Sequence, residues 1–143
     1  MAESTAQVTW TGDLRSGRGS VQFQRGALPA AAVSWAGRTG ETDEGTTPEE
    51  LLAAAHAACF SMALSSGLAR GGHPPTTLRV SATATFDATA VRITRIHLAV
   101  SGQVPGLDAA GFQSAAADAA ANCPVSKALE GNVEIDVEAE LLT

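Results

Sequence analysis

Hydrophobic and polar positions alternate in short runs at the start of the chain, where Val8-Thr-Trp10 and Val21-Gln-Phe23 are separated by Gly12-Asp13 and Ser16-Gly-Arg-Gly19. A period of two bounded by turn residues predicts hairpin strands, and a third strand is predicted over Ala30 to Ala36. Ser16 to Gly19 lacks the strand-to-helix setting and the glycine spacing of a phosphate loop, so it reads as a turn. A polar, acid-rich loop follows from Gly37 to Gly45.

The period then changes. Thr46 and Thr47 are candidate N-caps, Pro48 suits a first helical position, and Glu49 and Glu50 complement the positive end of the helix dipole. A helix from Pro48 to about Arg70 is predicted, stopped by Gly71-Gly72 and Pro74-Pro75. Leu52, Ala55, Cys59, Met62 and Ser66 fall on one helical stripe, which predicts a mostly apolar face carrying Cys59. The helix is charged only at its ends, through Glu49, Glu50 and Arg70. Its middle is therefore expected to be covered all round, by sheet and helices or by a second copy of the chain.

Downstream, Thr77 to Phe86 and Val91 to Gly102 alternate as the arms of a second hairpin turning at Asp87 to Ala90. An Ala-rich helix is predicted over Asp108 to Ala121 and a short helical turn from Pro124 to about Leu129. The chain closes with a strand from Asn132 to Leu141 that puts Val133, Ile135, Val137, Ala139 and Leu141 on one face. Hairpins and sheets packed around two main helices, one of them central and buried, define an α+β fold in a single domain over residues 1–143.

Composition excludes some partners. With 143 residues, 45% apolar and 17% charged, the chain can bury a core, and a net charge of −6 argues against nucleic acid or an anionic membrane surface. Small molecules or proteins remain. No basic, apolar and cleavable leader is seen, and no window approaches the roughly 20 apolar residues of a bilayer span, so a cytoplasmic protein is expected. In that reducing compartment its two cysteines are more often reactive, metal-binding or buried than a permanent disulfide.

Cys59 sits deep in the long helix and Cys123 directly precedes Pro124. A free cysteine is often just a small buried hydrophobe. To react, Cys59 must become a thiolate, and burial opposes that unless a cation stands nearby; Arg15, Arg18, Arg25, Arg38 and His56 are the candidates. His56 can share a helix face with Cys59 as base or donor, although a structural or solvent-facing role is the default for such spacing. Cys123 is either a small residue at a helix junction or a thiol whose ionised form is favoured by N–H groups at the start of the next helix. His56, Cys59, Cys123 and His97 have metal-ligand chemistry, but no Cys-x-x-Cys or His-x-x-x-His pair anchors a site, and no metal is expected.

Thr-Pro-Glu-Glu-Leu-Leu-Ala-Ala-Ala-His-Ala-Ala-Cys-Phe-Ser-Met-Ala-Leu from Thr47 to Leu64, and Asn-Cys-Pro-Val-Ser-Lys-Ala-Leu from Asn122 to Leu129, closely resemble the OsmC/Ohr family of osmotically inducible and organic-hydroperoxide-resistance proteins. Trp10-x-Gly-Asp-Leu14 and the closing strand extend the resemblance over essentially the whole length, on the OsmC side. It implies an intertwined α+β homodimer that reduces organic hydroperoxides, and hydrogen peroxide less well, without haem or metal. It also implies that Cys59 is the peroxidatic thiol, oxidised to a sulfenic acid, and that Cys123 resolves it to a disulfide. The resemblance further implies no bound cofactor and an external dithiol, lipoyl-type in the Ohr branch, that restores the thiols. Glu49 matches the family's acidic residue, and Arg38 resembles the OsmC arginine, whereas the Ohr arginine maps near Ser16, between Arg15 and Arg18.

The resemblance makes Glu49 the residue that fixes the Arg38 guanidinium in a bidentate pair, so that Arg38 holds the thiolate and stabilises the leaving alkoxide. Glu49 and Cys59 lie ten residues apart on one helix, about 15 Å along its axis. That is too far for one arginine fork, so Cys59 of one subunit is expected to meet Glu49 and Arg38 of the other. Two rival readings use the same residues. A thiol redox sensor would form the disulfide but turn over slowly, and a hydrolase would use Cys59 with His56.

Overall fold

The computed structural model describes residues 1–142. They fall into two compact units, residues 1–51 and the part from Leu52 onward.

In the first unit, β1 (Ala6–Thr11), β2 (Arg18–Phe23) and β3 (Ala31–Val33) form an antiparallel sheet in that order, with Val8 opposite Val21. The β1–β2 connection is tied by Asp13, whose Oδ1 accepts from the Ser16 N–H at 2.7 Å and the Ser16 hydroxyl at 2.8 Å. Gly17 is required there, because a Cβ would lie 2.2 Å from the Asp13 carbonyl oxygen. The predicted third strand is too long. Ser34 caps a short helix, α1 (Trp35–Arg38), its Oγ accepting from the Gly37 N–H at 3.0 Å, and this local bond competes successfully with strand pairing. Past the loop, Thr46 bridges back to Val33, and the Thr47 hydroxyl accepts from the Glu50 N–H at 2.9 Å, starting α2 (Pro48–Arg70) where Pro48 predicted it. Val21 is this unit's one hydrophobe in the buried core among the described residues, while β1 is exposed along its whole length, Val8 at 57% and Trp10 at 39%.

The second unit holds the rest of α2 and a sheet of β4 (Thr77–Asp87), β5 (Arg92–Gln103) and β6 (Glu134–Leu141), antiparallel between β4 and β5 and parallel between β5 and β6. A parallel partner cannot be reached by a tight turn, and α3 (Ala109–Asn122) and α4 (Pro124–Leu129) make the crossover. The core joins Phe60, Leu64 and Leu68 of α2 to Ile96, Leu98 and Val100 of β5 and to Phe112, Ala116 and Ala119 of α3. Ile135, Val137, Ala139 and Leu141 pack against it as the alternation predicted. Gly102 admits the Phe112 ring, which a Cβ would meet at 2.8 Å. On the alternate positions, Arg95 Nε donates to Asp136 Oδ1 at 2.7 Å and His97 Nδ1 bonds the other oxygen at 2.5 Å. These hydrogen bonds, Arg95 first, pull the Asp136 carboxyl down to about 2.

The structure corrects two expectations for α2. Its buried side is His56, Phe60, Leu64 and Leu68, spaced by four, whereas the Leu52–Ala55–Cys59–Met62–Ser66 stripe runs onto the exposed side, with Met62 72% exposed. Alanine gives no preference between faces, so the large side chains decide, and Phe60, Leu64 and Leu68 seek the sheet. Within one chain the helix is therefore buried on one face and bare on the other. It is also long and apolar enough by composition to cross a bilayer, with a mean hydropathy of 1.5 over its best window, against the expectation that no segment approaches this. Its largest apolar side chains are engaged in the core described above.

Candidate active site

Pro124 shapes the site at Cys123. Proline has no N–H to continue α3 and disfavours helical geometry in the residue before it, so Cys123 is extended, at φ −65° and ψ 146°. Cys123 thus ends α3, its N–H donating to the Ala119 carbonyl at 2.9 Å, and caps α4, its carbonyl accepting from Lys127 at 3.0 Å. Asn122 secures the same junction by donating from Nδ2 to the Asp118 carbonyl at 2.9 Å. Cys123 Sγ, fully buried, lies 3.0 Å from the Ser126 hydroxyl and accepts from the Ser126 N–H at 3.4 Å.

Cys59 presents a half-buried thiol from α2. It packs against the core cluster that contains Cys123, close enough for Cys123 and the Val125 backbone to act on its thiol electrostatically, so the helix and the α3–α4 junction bring the two thiols near each other. Burial pushes the Cys59 thiol above the ordinary cysteine range, and the neighbouring Cys123 pushes the same way, while the Val125 backbone opposes them. Within this unit no guanidinium contributes to the Cys59 shift.

His56 is neither solvent-facing nor paired with Cys59. It is fully buried, and its Nε2 is 2.8 Å from Ser126 Oγ, the same hydroxyl that lies 3.0 Å from Cys123 Sγ. Its Nδ1 is buried without a partner, and burial lowers its pKa, so the ring is neutral at pH 7. The hydrolase pairing of Cys59 with His56 is thereby corrected: the imidazole's one bonded nitrogen is committed to Ser126. Ser126 was missed at the sequence level. Its signal is position, three residues after a capping Cys123, where a backbone N–H turns back to the cap.

In the first unit, Arg38 Nε and Nη2 both donate to Glu49 Oε1, at 3.0 and 2.8 Å. Both contacts reach one carboxylate oxygen, which departs from a two-oxygen fork. Glu49 is buried, and its Oε2 has no partner. Arg38 reaches Glu49 because α1 ends at Arg38 and Pro48 starts α2 one residue earlier than the carboxylate. Arg15 and Arg18 instead border a cavity of about 310 Å³ with Ser16, Ser34 and Glu44.

The family described as OsmC-like protein matches residues 40–138. Peroxiredoxin OsmC of Escherichia coli K12 is 40% identical over 134 residues, which cover 92% of this chain and 93% of that protein. Organic hydroperoxide resistance protein-like 1 of Staphylococcus saprophyticus is 32% identical over 124 residues, 83% of this chain and 84% of its own. Among solved structures, the organic hydroperoxide resistance protein OhrB of Bacillus subtilis aligns with a TM-score of 0.66 at 28% identity, covering 95% of this chain and 98% of that one. The OsmC-like protein of Mycoplasma pneumoniae aligns at 0.74 with 15% identity over 99% of both chains, a likeness of fold. The family match, the sequence identity and the shared fold thus agree, and the chain belongs to the OsmC family.

Proposed function

We propose that this chain, a cysteine-based, peroxidase-like enzyme, reduces organic hydroperoxides through Cys59 and closes a Cys59–Cys123 disulfide in each cycle. The observation that carries the reading is the approach of the two free thiols, Cys59 of α2 packed against the core cluster that contains Cys123 of the α3–α4 junction. The thiolate of Cys59 attacks the distal peroxide oxygen, the O–O bond breaks, the alkoxide leaves as the alcohol, and Cys59 becomes a sulfenic acid. Cys123 attacks that sulfur, the S–O bond breaks, and water leaves. A dithiol reductant, lipoyl-type by family resemblance, then returns both thiols by exchange in the cytoplasm.

Burial disfavours the Cys59 thiolate, so the proposed chemistry calls for a cation beside it. We assign that role to Arg38, oriented by Glu49, of a second subunit. Two features support the intertwined homodimer this requires: the bare, small-residue face of α2 and the exposed β1 with Val8 and Trp10. Apolar surroundings favour alkyl hydroperoxides over hydrogen peroxide.

The test is stopped-flow consumption of cumene hydroperoxide and of hydrogen peroxide by reduced protein. Wild type should consume the organic peroxide faster, Cys59→Ser should not consume it, and Cys123→Ser should complete one turnover only. Slow and unselective reaction at both cysteines would overturn the reading in favour of a redox sensor.

A further inference from the structure

Between His56 and Cys123 runs an unbroken hydrogen-bonded chain through Ser126, with contacts of 2.8 and 3.0 Å. All three residues are nearly or wholly buried, Ser126 at 3% exposure and the other two at 0%. Nothing in the peroxide step at Cys59 calls for this chain. It ends on the sulfur that must attack second.

The directions of these bonds follow from satisfaction. A neutral imidazole carries one N–H, and the only bonded nitrogen of His56 is Nε2. Burying an N–H without an acceptor costs more than burying a lone pair, so the proton sits on Nε2 and is donated to Ser126 Oγ. The serine hydroxyl, accepting from His56, turns its own proton toward Cys123 Sγ. The Ser126 backbone N–H points at the same sulfur at 3.4 Å. One residue thus aims two donors at Cys123, and His56 fixes the direction of one of them.

We propose that Ser126 and His56 serve the resolving step: Ser126 acts on the Cys123 sulfur directly, and His56 is a positioning residue that orients the Ser126 hydroxyl so that Cys123 is held ready to attack oxidised Cys59. In that step the S–S bond forms and the Cys59 S–OH bond breaks. The Cys123 sulfur is oxidised and the sulfenic sulfur reduced, and the hydroxide that leaves takes up the proton released by the Cys123 thiol, giving water. Donors aimed at the attacking sulfur hold its lone pairs and its rotamer toward Cys59 before reaction.

The proposal rests on the peroxidase reading for its place in a cycle, but its physical content can be read without peroxide. Ellman's reagent attacks the half-buried Cys59 first, releasing one thionitrobenzoate, and Cys123 then displaces the second as the disulfide closes. The ratio of second-phase to first-phase rate therefore reports Cys123 attack. Ser126→Ala and His56→Phe should lower that ratio about tenfold, the worth of one buried hydrogen bond. Ser126→Thr, which keeps the hydroxyl, should restore most of it. The same ratio is then read with cumene hydroperoxide, trapping the Cys59 sulfenic acid with dimedone against disulfide formation.

If His56→Phe does not fold, the serine pair carries the test. A ratio unchanged in Ser126→Ala, or equally lowered in Ser126→Thr, would overturn the proposal, because a merely structural hydroxyl would not discriminate the second phase from the first. Should the reagent phases respond as expected while peroxide is not consumed, the chain of hydrogen bonds stands and the peroxidase reading falls.

Discussion

Residues 1–51 bury a single hydrophobic side chain, Val21, and hold the Arg38–Glu49 pair, whereas the unit from Leu52 onward buries a contiguous cluster from Phe60 to Cys123 and holds both thiols. On the proposed mechanism the contrast separates two requirements. The thiols must meet at a fixed geometry, so they occupy the densely packed unit, where helix ends and a proline hold them. On that mechanism the charges assist a thiolate that its own surroundings disfavour, and they sit on helices beside a sparsely packed sheet whose exposed strand calls for a second surface.

The largest test of this division compares one residue from each unit. Cys59→Ser should abolish peroxide consumption, while Arg38→Ala should lower its rate constant by about 10²–10³-fold, the size of losing one preorganised charge-stabilising donor. Equal losses would break the division, since the guanidinium would then be as indispensable as the nucleophile. Stability gives a second contrast, read by urea unfolding followed by circular dichroism. Phe112→Ala should destabilise by about 3–5 kcal/mol, and Val21→Ala by about 1.6 kcal/mol for two methyl groups at about 0.8 each. The reverse order would mean that the first unit contributes more core than its burial indicates.

The smallest effect sharpens a contrast within the second unit, between the two faces of its sheet. Asp136 has a folded pKa of about 2, below the ordinary 3.8, so its pairing with Arg95 and His97 stabilises the fold above pH 4 and that contribution is lost as pH falls from about 4 to 2. Its side chain is 36% exposed, so the effect is modest. Asp136→Asn should flatten the acid limb of a melting-temperature profile and leave the core contribution in place; an unchanged limb would show the outer network to be energetically silent.

Much of this was legible because local signals agreed. Pro48 and the first-turn glutamates set the start of α2, glycines set its end, and strict alternation set the buried face of β6. The face of α2 was not legible, because alanines fill every side and the stripe through Met62 matched helical spacing as well as the one through Phe60. β3 was over-extended because a capping bond from Ser34 outweighs strand propensity at Trp35 and Ala36. At the site, motifs pointed to both cysteines, Glu49 and Arg38, and the pairing of the last two appears as an ion pair at 2.8 Å. Ser126 and the true partner of His56 stayed hidden, since their contact spans 70 positions and has no local periodicity to betray it.

The parallel pairing of β5 with β6 carries a consequence for how the chain folds. These neighbours are joined by residues 104–133, and closing so long a segment is slow compared with zipping a hairpin. Cys123 rides on that segment, so its approach to Cys59 of α2 belongs to the same long-range closure. A chain still emerging from synthesis carries two thiols that are strangers to each other. Their meeting is a late product of contact order, and on the proposed mechanism disulfide closure becomes a report on finished topology.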